Sequence, residues 1–254
     1  MRIIASDFDG TIHYHDGIAQ NVRDALIHWQ ALGNKFGIVS GRGIKNIAYS
    51  VREENLKCDF LVANNGAVIA DGEGNVIKAH TGNPACVCDI VAFVLQFDCR
   101  YVCINDLGDE VFICTPERKE LRYRDDSRFI LLEEFDREVD FTQLSTVCRD
   151  PEFAAVLTDK LNEQFANEIV AFQNGICIDI VPKGVSKAQG IRDLLEVYSA
   201  SHDDVAAVGD NKNDQTMLEA FRSYAVANAI DSIKAIAGAV VADLAELVEK
   251  ELAR

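Results

Sequence analysis

The chain has 254 residues, 48% of them hydrophobic and 26% charged, the balance of a globular protein and not of a disordered one. Its 25 Lys and Arg face 41 Asp and Glu, a net charge of -16, which repels nucleic acid and anionic membrane surfaces and excludes both as expected partners. A small anionic molecule stays open as a partner, because a bound cation and a few basic side chains can reverse the field locally.

The N-terminal segment MRIIASDFDG breaks its apolar run at Asp7, too soon for the apolar region of a secretory signal. No stretch approaches transmembrane length. The expected location is the cytoplasm, where the eight cysteines would stay reduced. They include no C-x-x-C pair, and the closest grouping (Cys86, Cys88, Cys99, Cys103) has no histidine at zinc spacing. Their expected role is that of small buried apolar side chains.

In chain order, the run from Ile3 to Ala5 predicts a buried strand that enters a loop at the alternating carboxylates Asp7 and Asp9. Val22, Ala25, Leu26, Trp29 and Leu32 recur at helical spacing, and Gly33 is a natural stop. A strand from Phe36 to Val39 ends at Ser40-Gly41-Arg42, a helix follows from Ile44 to Glu54, and a third strand runs from Phe60 to Ala63. Strand, helix, strand, helix, strand implies a doubly wound, right-handed parallel sheet.

The pattern then changes. Asn64-Asn65-Gly66 and Asp71-Gly72 punctuate two short runs, Ala67 to Ala70 and Val76 to Lys78, that suggest a hairpin. From Pro84 to Val181 the expectation is an α+β insertion: a helix (Cys86 to Phe97), strands (Arg100 to Asn105, Glu110 to Thr115), a polar stretch, a strand near Thr146 to Arg149, a helix (Pro151 to Phe165) and paired strands (Glu168 to Phe172, Ile176 to Val181). Seven of the eight cysteines fall there. After Pro182 the α/β alternation resumes with a helix from Ser186 to Val197 and a strand from Val205 to Val208 that ends at Gly209-Asp210. A helix near Asp214 to Ala220, a strand at Tyr224 to Ala227 and a helix from Val241 close the chain. The fold class is thus α/β, a doubly wound core in two parts, 1-83 and 182-254, interrupted by an α+β domain at 84-181.

In open parallel sheets ligands bind beyond the carboxyl ends of the strands, so the polar residues just after each strand are the candidates: Asp7, Asp9, Ser40, Arg42 and Asp210. Converging carboxylates repel one another unless a hard cation neutralises them, and an oxygen-only set suits Mg²⁺ better than Zn²⁺. The Ser40 hydroxyl and the Lys187 ammonium, at a helix start, would supply donors to a bound phosphate. Taken singly, each motif has a plain reading: D-x-D as a turn, Ser-Gly as a cap, GDNKND as a polar loop. His13 and His15, close to the first loop, are expected to be solvated or to pack that loop.

Together and in this order, DFDGT from Asp7, Ser40-Gly41-Arg42, Lys187 in KGVSKAQGI and GDNKND from Gly209 resemble the four motifs of the haloacid dehalogenase superfamily. The insertion between the second and third motifs resembles the C2B-type cap of Cof-type phosphatases, which in that family sets specificity. The segment SYAVANA departs from the Cof-type pattern, lacking the Met and Gly that often precede Asn-Ala. The resemblance implies a Mg²⁺-dependent phosphatase acting on a small phosphorylated metabolite, such as a sugar or polyol phosphate, as a monomer or homodimer. It implies Asp7 as nucleophile and Asp9 as general acid and base. Asp7, Asp9 through its carbonyl, and Asp210 would hold the metal, with Asp214 behind Asp210 or reaching the ion through water. Ser40 and Lys187 would bind the transferring phosphoryl, with Asn213, Gly41, Arg42 and Asn65 as further substrate contacts or loop anchors. A phosphomutase and a binding protein that has lost activity are the competing readings.

Overall fold

Ile3 and Ile4 are completely buried, as expected of a central parallel strand with helices over both faces. They belong to β1 (Ile3–Ser6), the first element of the computed structural model, which describes residues 1–107, 109–115, 128–135 and 139–254. Then follow α1 (Gln20–Ala31), β2 (Lys35–Val39), α2 (Ile44–Glu53), β3 (Phe60–Ala63), β4 (Val68–Asp71) and β5 (Val76–Ala79). Helix α1 turns Val22, Leu26 and Trp29 inward, the spacing that its sequence shows.

The insertion contains α3 (Val87–Leu95), β6 (Cys99–Asp106), β7 (Asp109–Cys114), β8 (Arg128–Leu131), β9 (Gln143–Cys148), α4 (Pro151–Gln164), β10 (Ile169–Asn174) and β11 (Cys177–Pro182). Asp150 caps α4 by accepting from the Phe153 N–H at 2.7 Å, with Pro151 in the first turn. The strands form one sheet in the order β10-β11-β9-β6-β7-β8, antiparallel except for the β7–β8 pair. Period-two alternation sends Val102, Ile104, Leu144, Ile178 and Ile180 into the cluster that also contains the apolar residues of α3 and α4. Tyr101, Cys103, Phe112 and Cys114 form a second cluster with Phe129, Leu131 and Val147. The Cys99 and Cys148 sulfurs lie 3.7 Å apart in this unit's core. Residues 116–127, the polar stretch, lie outside the described residues.

The chain then returns with α5 (Lys187–Tyr198), β12 (Val205–Gly209), α6 (Gln215–Ala220), β13 (Arg222–Val226), α7 (Asp231–Ile236), β14 (Ala239–Val241) and α8 (Leu244–Leu252). Its strands complete an eight-stranded sheet, β14-β13-β12-β1-β2-β3-β4-β5. Six strands are parallel; β4 pairs antiparallel with β3, so the expected parallel sheet carries an added margin. Three short elements, β8, α7 and β14, were not expected from the sequence.

Contacts divide the chain into two compact units, Met1–Lys78 with Ser186–Arg254, and Ala79–Val185. The insertion expected at 84-181 is a little longer here for a local reason. Gly82 N–H donates to the Phe141 carbonyl at 2.8 Å, and Pro182 is still in register with Ile169 across β10 and β11. Among the described residues no helix is long and apolar enough to cross a membrane.

Candidate active site

Strand order reverses at β1, which has β2 on one side and β12 on the other. A doubly wound sheet opens a crevice at such a reversal, and there the chain places Asp7 and Asp210. The Asp7 N–H donates to the Val208 carbonyl at 2.9 Å, and the chain then turns back as the Phe8 carbonyl accepts from Ile12 and His13. Gly10 is required in this turn: its φ is +79°, and a Cβ would lie 2.7 Å from Asp210 Oδ2. That close approach lets Thr11 Oγ1 donate to Asp210 Oδ1 at 3.0 Å. Asn228 holds the same loop, donating from Nδ2 to the Gly10 carbonyl at 2.7 Å and accepting from the Tyr14 hydroxyl.

After β12, Asn211 and Asp214 cap the turn at 212–214 reciprocally. Asp214 is fully buried, and Oδ2 accepts from the N–H groups of Asp210 and Asn211 at 2.8 and 3.0 Å. Its other oxygen accepts from Lys187 Nζ at 2.5 Å, and the same ammonium donates to Asp7 Oδ1 at 2.7 Å. Lys187 heads α5, capped by Ser186. A Cβ on Gly66 would fall onto the Ser186 carbonyl, and one on Gly190 would meet Val62 and Gly66. The two glycines therefore allow α5 to begin against the turn after β3, close enough for Lys187 to reach Asp7.

Asp7, Asp210 and Asp214 each offer an oxygen within 4.8 Å of the others. Burial, then Asp214, push the Asp7 carboxyl up to about 8 against the pull of Lys187. Burial and Asp214 also raise Asp210. Burial opposes the charge on Lys187, yet Asp214 and Asp7 hold it above its ordinary value. Three carboxylates against one ammonium leave a buried negative excess, relieved either by protons or by a hard cation. Asp7 and Asp210 fit as direct oxygen ligands. The oxygens of Asp214 already serve Lys187 and two N–H groups, which suits it to bracing the Asp210 loop.

The shift at Asp7 has a testable consequence. Between its ordinary 3.8 and about 8, the native metal-free protein keeps a proton that the unfolded chain has lost, so stability from this group falls as pH rises through that window. Calorimetry in chelator is expected to show Tm falling more steeply from pH 5 to pH 8 in the wild type than in Asp7→Asn. Added Mg²⁺ is expected to raise the wild-type Tm more at pH 8 than at pH 5. Equal slopes for the two proteins would refute the buried-proton reading.

The second loop is joined to the turn after β3 through main-chain bonds: Asn65 N–H to the Ser40 carbonyl at 3.0 Å and Asn64 N–H to the Arg42 carbonyl at 2.9 Å. Asn64, Asn65 and Gly66 have φ of +52°, +50° and +105°, and Asn bears such a conformation better than most residues. Ser40 is buried; its Oγ accepts from the Arg42 N–H at 3.1 Å and its own O–H can point elsewhere. Gly41 is half-buried between them, and Asn213 is buried in the 212–214 turn. Arg42 grips Asp9, Nε to Oδ2 at 2.7 Å and Nη2 to Oδ1 at 2.6 Å. The Asp9 carboxylate is half exposed and stands outside the three-carboxylate cluster. His13 stacks on Phe8 and pairs with Glu54 at 3.2 Å, while His15 is exposed.

The geometry joins Asp7, Lys187, Asp210 and Asp214 directly, joins Asp9 to Arg42, and links Ser40 with Asn65 through the main chain. Thr11, Tyr14 and Asn228 were not among the residues expected at the site. Thr11 lies within DFDGT and Asn228 within SYAVANA, so motif membership was the available signal.

The doubly wound sheet thus carries an aspartate after its first strand, a buried lysine upon it and two further aspartates from the fourth motif. The sequence profile of haloacid dehalogenase-like hydrolases matches residues 4–246, and the chain belongs to that family. Phosphatase YwpJ of Bacillus subtilis is 27% identical over 284 aligned positions, covering 94% of each chain. A haloacid dehalogenase-like hydrolase from B. subtilis has a similar solved structure, with a TM-score of 0.83 at 22% identity over 98% of this chain and 99% of that one. The subclass IIB sugar phosphatase BT4131 superposes with a TM-score of 0.82 at 20% identity, over 99% and 97%.

Proposed function

We propose that this protein is a Mg²⁺-dependent phosphatase that removes phosphate from small phosphomonoesters, sugar or polyol phosphates, in the cytoplasm, as a monomer or homodimer. The observation that carries the reading is Lys187 bridging Asp7 and Asp214 beside Asp210, at the reversal of strand order. The names of YwpJ, a phosphatase, and of BT4131, a sugar phosphatase, support it.

In this reading the ionised Asp7 carboxylate attacks phosphorus, the bond to the ester oxygen breaks, and an aspartyl-phosphate forms. Asp9 gives its proton to the departing alkoxide, then takes one from the water that hydrolyses the acyl phosphate. Lys187, the Ser40 hydroxyl and Asn213 donate to the phosphoryl oxygens. Gly41 and Asn65 shape the loops beside the substrate. Asp7, Asp210 and the Asp9 carbonyl would hold Mg²⁺, with Asp214 behind them. When bound, the ion neutralises the carboxylates and the charge on the transferring group.

The test is phosphate release from a panel of sugar and polyol phosphates, with kcat/KM measured for each in Mg²⁺ and in chelator. Release confined to Mg²⁺, with at least one polyol or sugar phosphate well above nitrophenyl phosphate in kcat/KM, is the expected result. A flat, low profile, or exchange between isomeric sugar phosphates without free phosphate, would overturn it.

A further inference from the structure

A half-exposed aspartate has two soft side-chain torsions, whereas a general acid must lie within hydrogen-bond reach of the oxygen it serves. Both oxygens of Asp9 are held by one side chain, the planar fork of Arg42, at 2.6 and 2.7 Å. That fork is itself fixed. Its remaining terminal nitrogen donates to Ser50 Oγ at 2.7 Å and more loosely to Asn46 Oδ1 at 3.4 Å, both on α2. The guanidinium carbon lies 5.2 Å from the centre of the Phe8 ring, the residue between the two aspartates. Its main chain is tied on both sides, N–H to Ser40 Oγ and carbonyl to the Asn64 N–H. Ion pairs this exposed add little to stability, so a rigid, bidentate and multiply anchored one calls for another purpose.

We infer that Arg42 is the positioning residue for Asp9: helix α2 and the Phe8 ring hold the guanidinium, and its fork sets the direction of the Asp9 carboxyl for proton transfer. The inference rests on the phosphatase reading and moves Arg42 from the substrate to the acid-base group. Lysine offers a point charge and no fork, so it can substitute only in part.

The experiment compares wild type, Arg42→Ala, Arg42→Lys, Asp9→Asn and the double variant Arg42→Ala/Asp9→Asn, with glycerol phosphate and nitrophenyl phosphate as substrates. For glycerol phosphate, kcat is expected to fall about 10²-fold in Arg42→Ala and about tenfold in Arg42→Lys, within the range of general acid-base catalysis, with KM nearly constant. The nitrophenol burst should slow far less, because nitrophenolate departs without a proton. In the Asp9→Asn background Arg42→Ala should remove little more, since coupled residues are non-additive. Should Arg42→Ala fail to fold, Arg42→Lys and Arg42→Gln provide the same comparison. A raised KM with equal defects for both substrates and additive losses would make Arg42 a substrate contact and overturn the inference while leaving the phosphatase reading standing. Unchanged kinetics in every Arg42 variant would also overturn it. A wild type that releases no phosphate from either substrate would overturn both.

Discussion

Asp7→Asn is expected to abolish phosphate release while the protein remains folded. A carboxamide has nearly the shape of the carboxylate but is a poor nucleophile at phosphorus, and without the attacking group turnover should fall by on the order of 10⁴ or more. The fold should tolerate the change for an electrostatic reason. Asp7 is one of three carboxyl groups around a single ammonium, and Asn is neutral like the protonated Asp7 of the metal-free protein, while its oxygen can still accept from Lys187. Asp214 remains as the charged partner of Lys187, so the costly case of a buried charge left alone does not arise. Phosphate release, circular dichroism and Tm measured on the purified variant check both halves. Turnover within tenfold of wild type would remove Asp7 from the role of nucleophile.

Asp9→Asn is expected to retain metal binding but to lose about 10²–10⁴-fold in turnover of alkyl phosphates, the usual worth of general acid-base catalysis. The carbonyl assigned to the metal is main chain and survives the substitution; the carboxyl does not. An alkoxide is strongly basic and must be protonated as it leaves, whereas nitrophenolate departs readily without a proton. Formation of the aspartyl-phosphate from nitrophenyl phosphate should therefore be little affected, and its hydrolysis, which needs the base, should be slow. Rapid-mix experiments should show a burst of nitrophenol followed by slow turnover. Equal burst defects for alkyl and nitrophenyl substrates would show that Asp9 is not the acid.

The residues of the site were legible in the sequence because each follows a short apolar strand and because their motifs stand together in one order: Asp7 after β1, Ser40 after β2, Asp210 after β12. The helices could be read from local pattern as well, α1 from Val22, Leu26 and Trp29 on one face. The strand β14 escaped because three residues are too few to show a period, and the helix α7 was not read either. The parallel pairing of β7 and β8 depends on neighbours far along the chain and leaves no mark on either segment.

What the sequence by itself determined, then, is which chemical groups stand at the ends of which strands. Only the tertiary structure decided whom they face. Lys187 meets Asp7 across 180 positions of chain, a contact that depends on Gly66 and Gly190 being small enough to admit α5. Arg42, expected as a substrate contact or a loop anchor, grips Asp9 across 33 positions, because the loop after β2 is bonded to the Asn64-Asn65 turn and its side chain is held by α2. A motif records the type of a side chain, whereas its partner is set by the register of strands and the closeness of a helix, which arise only when distant segments are packed together.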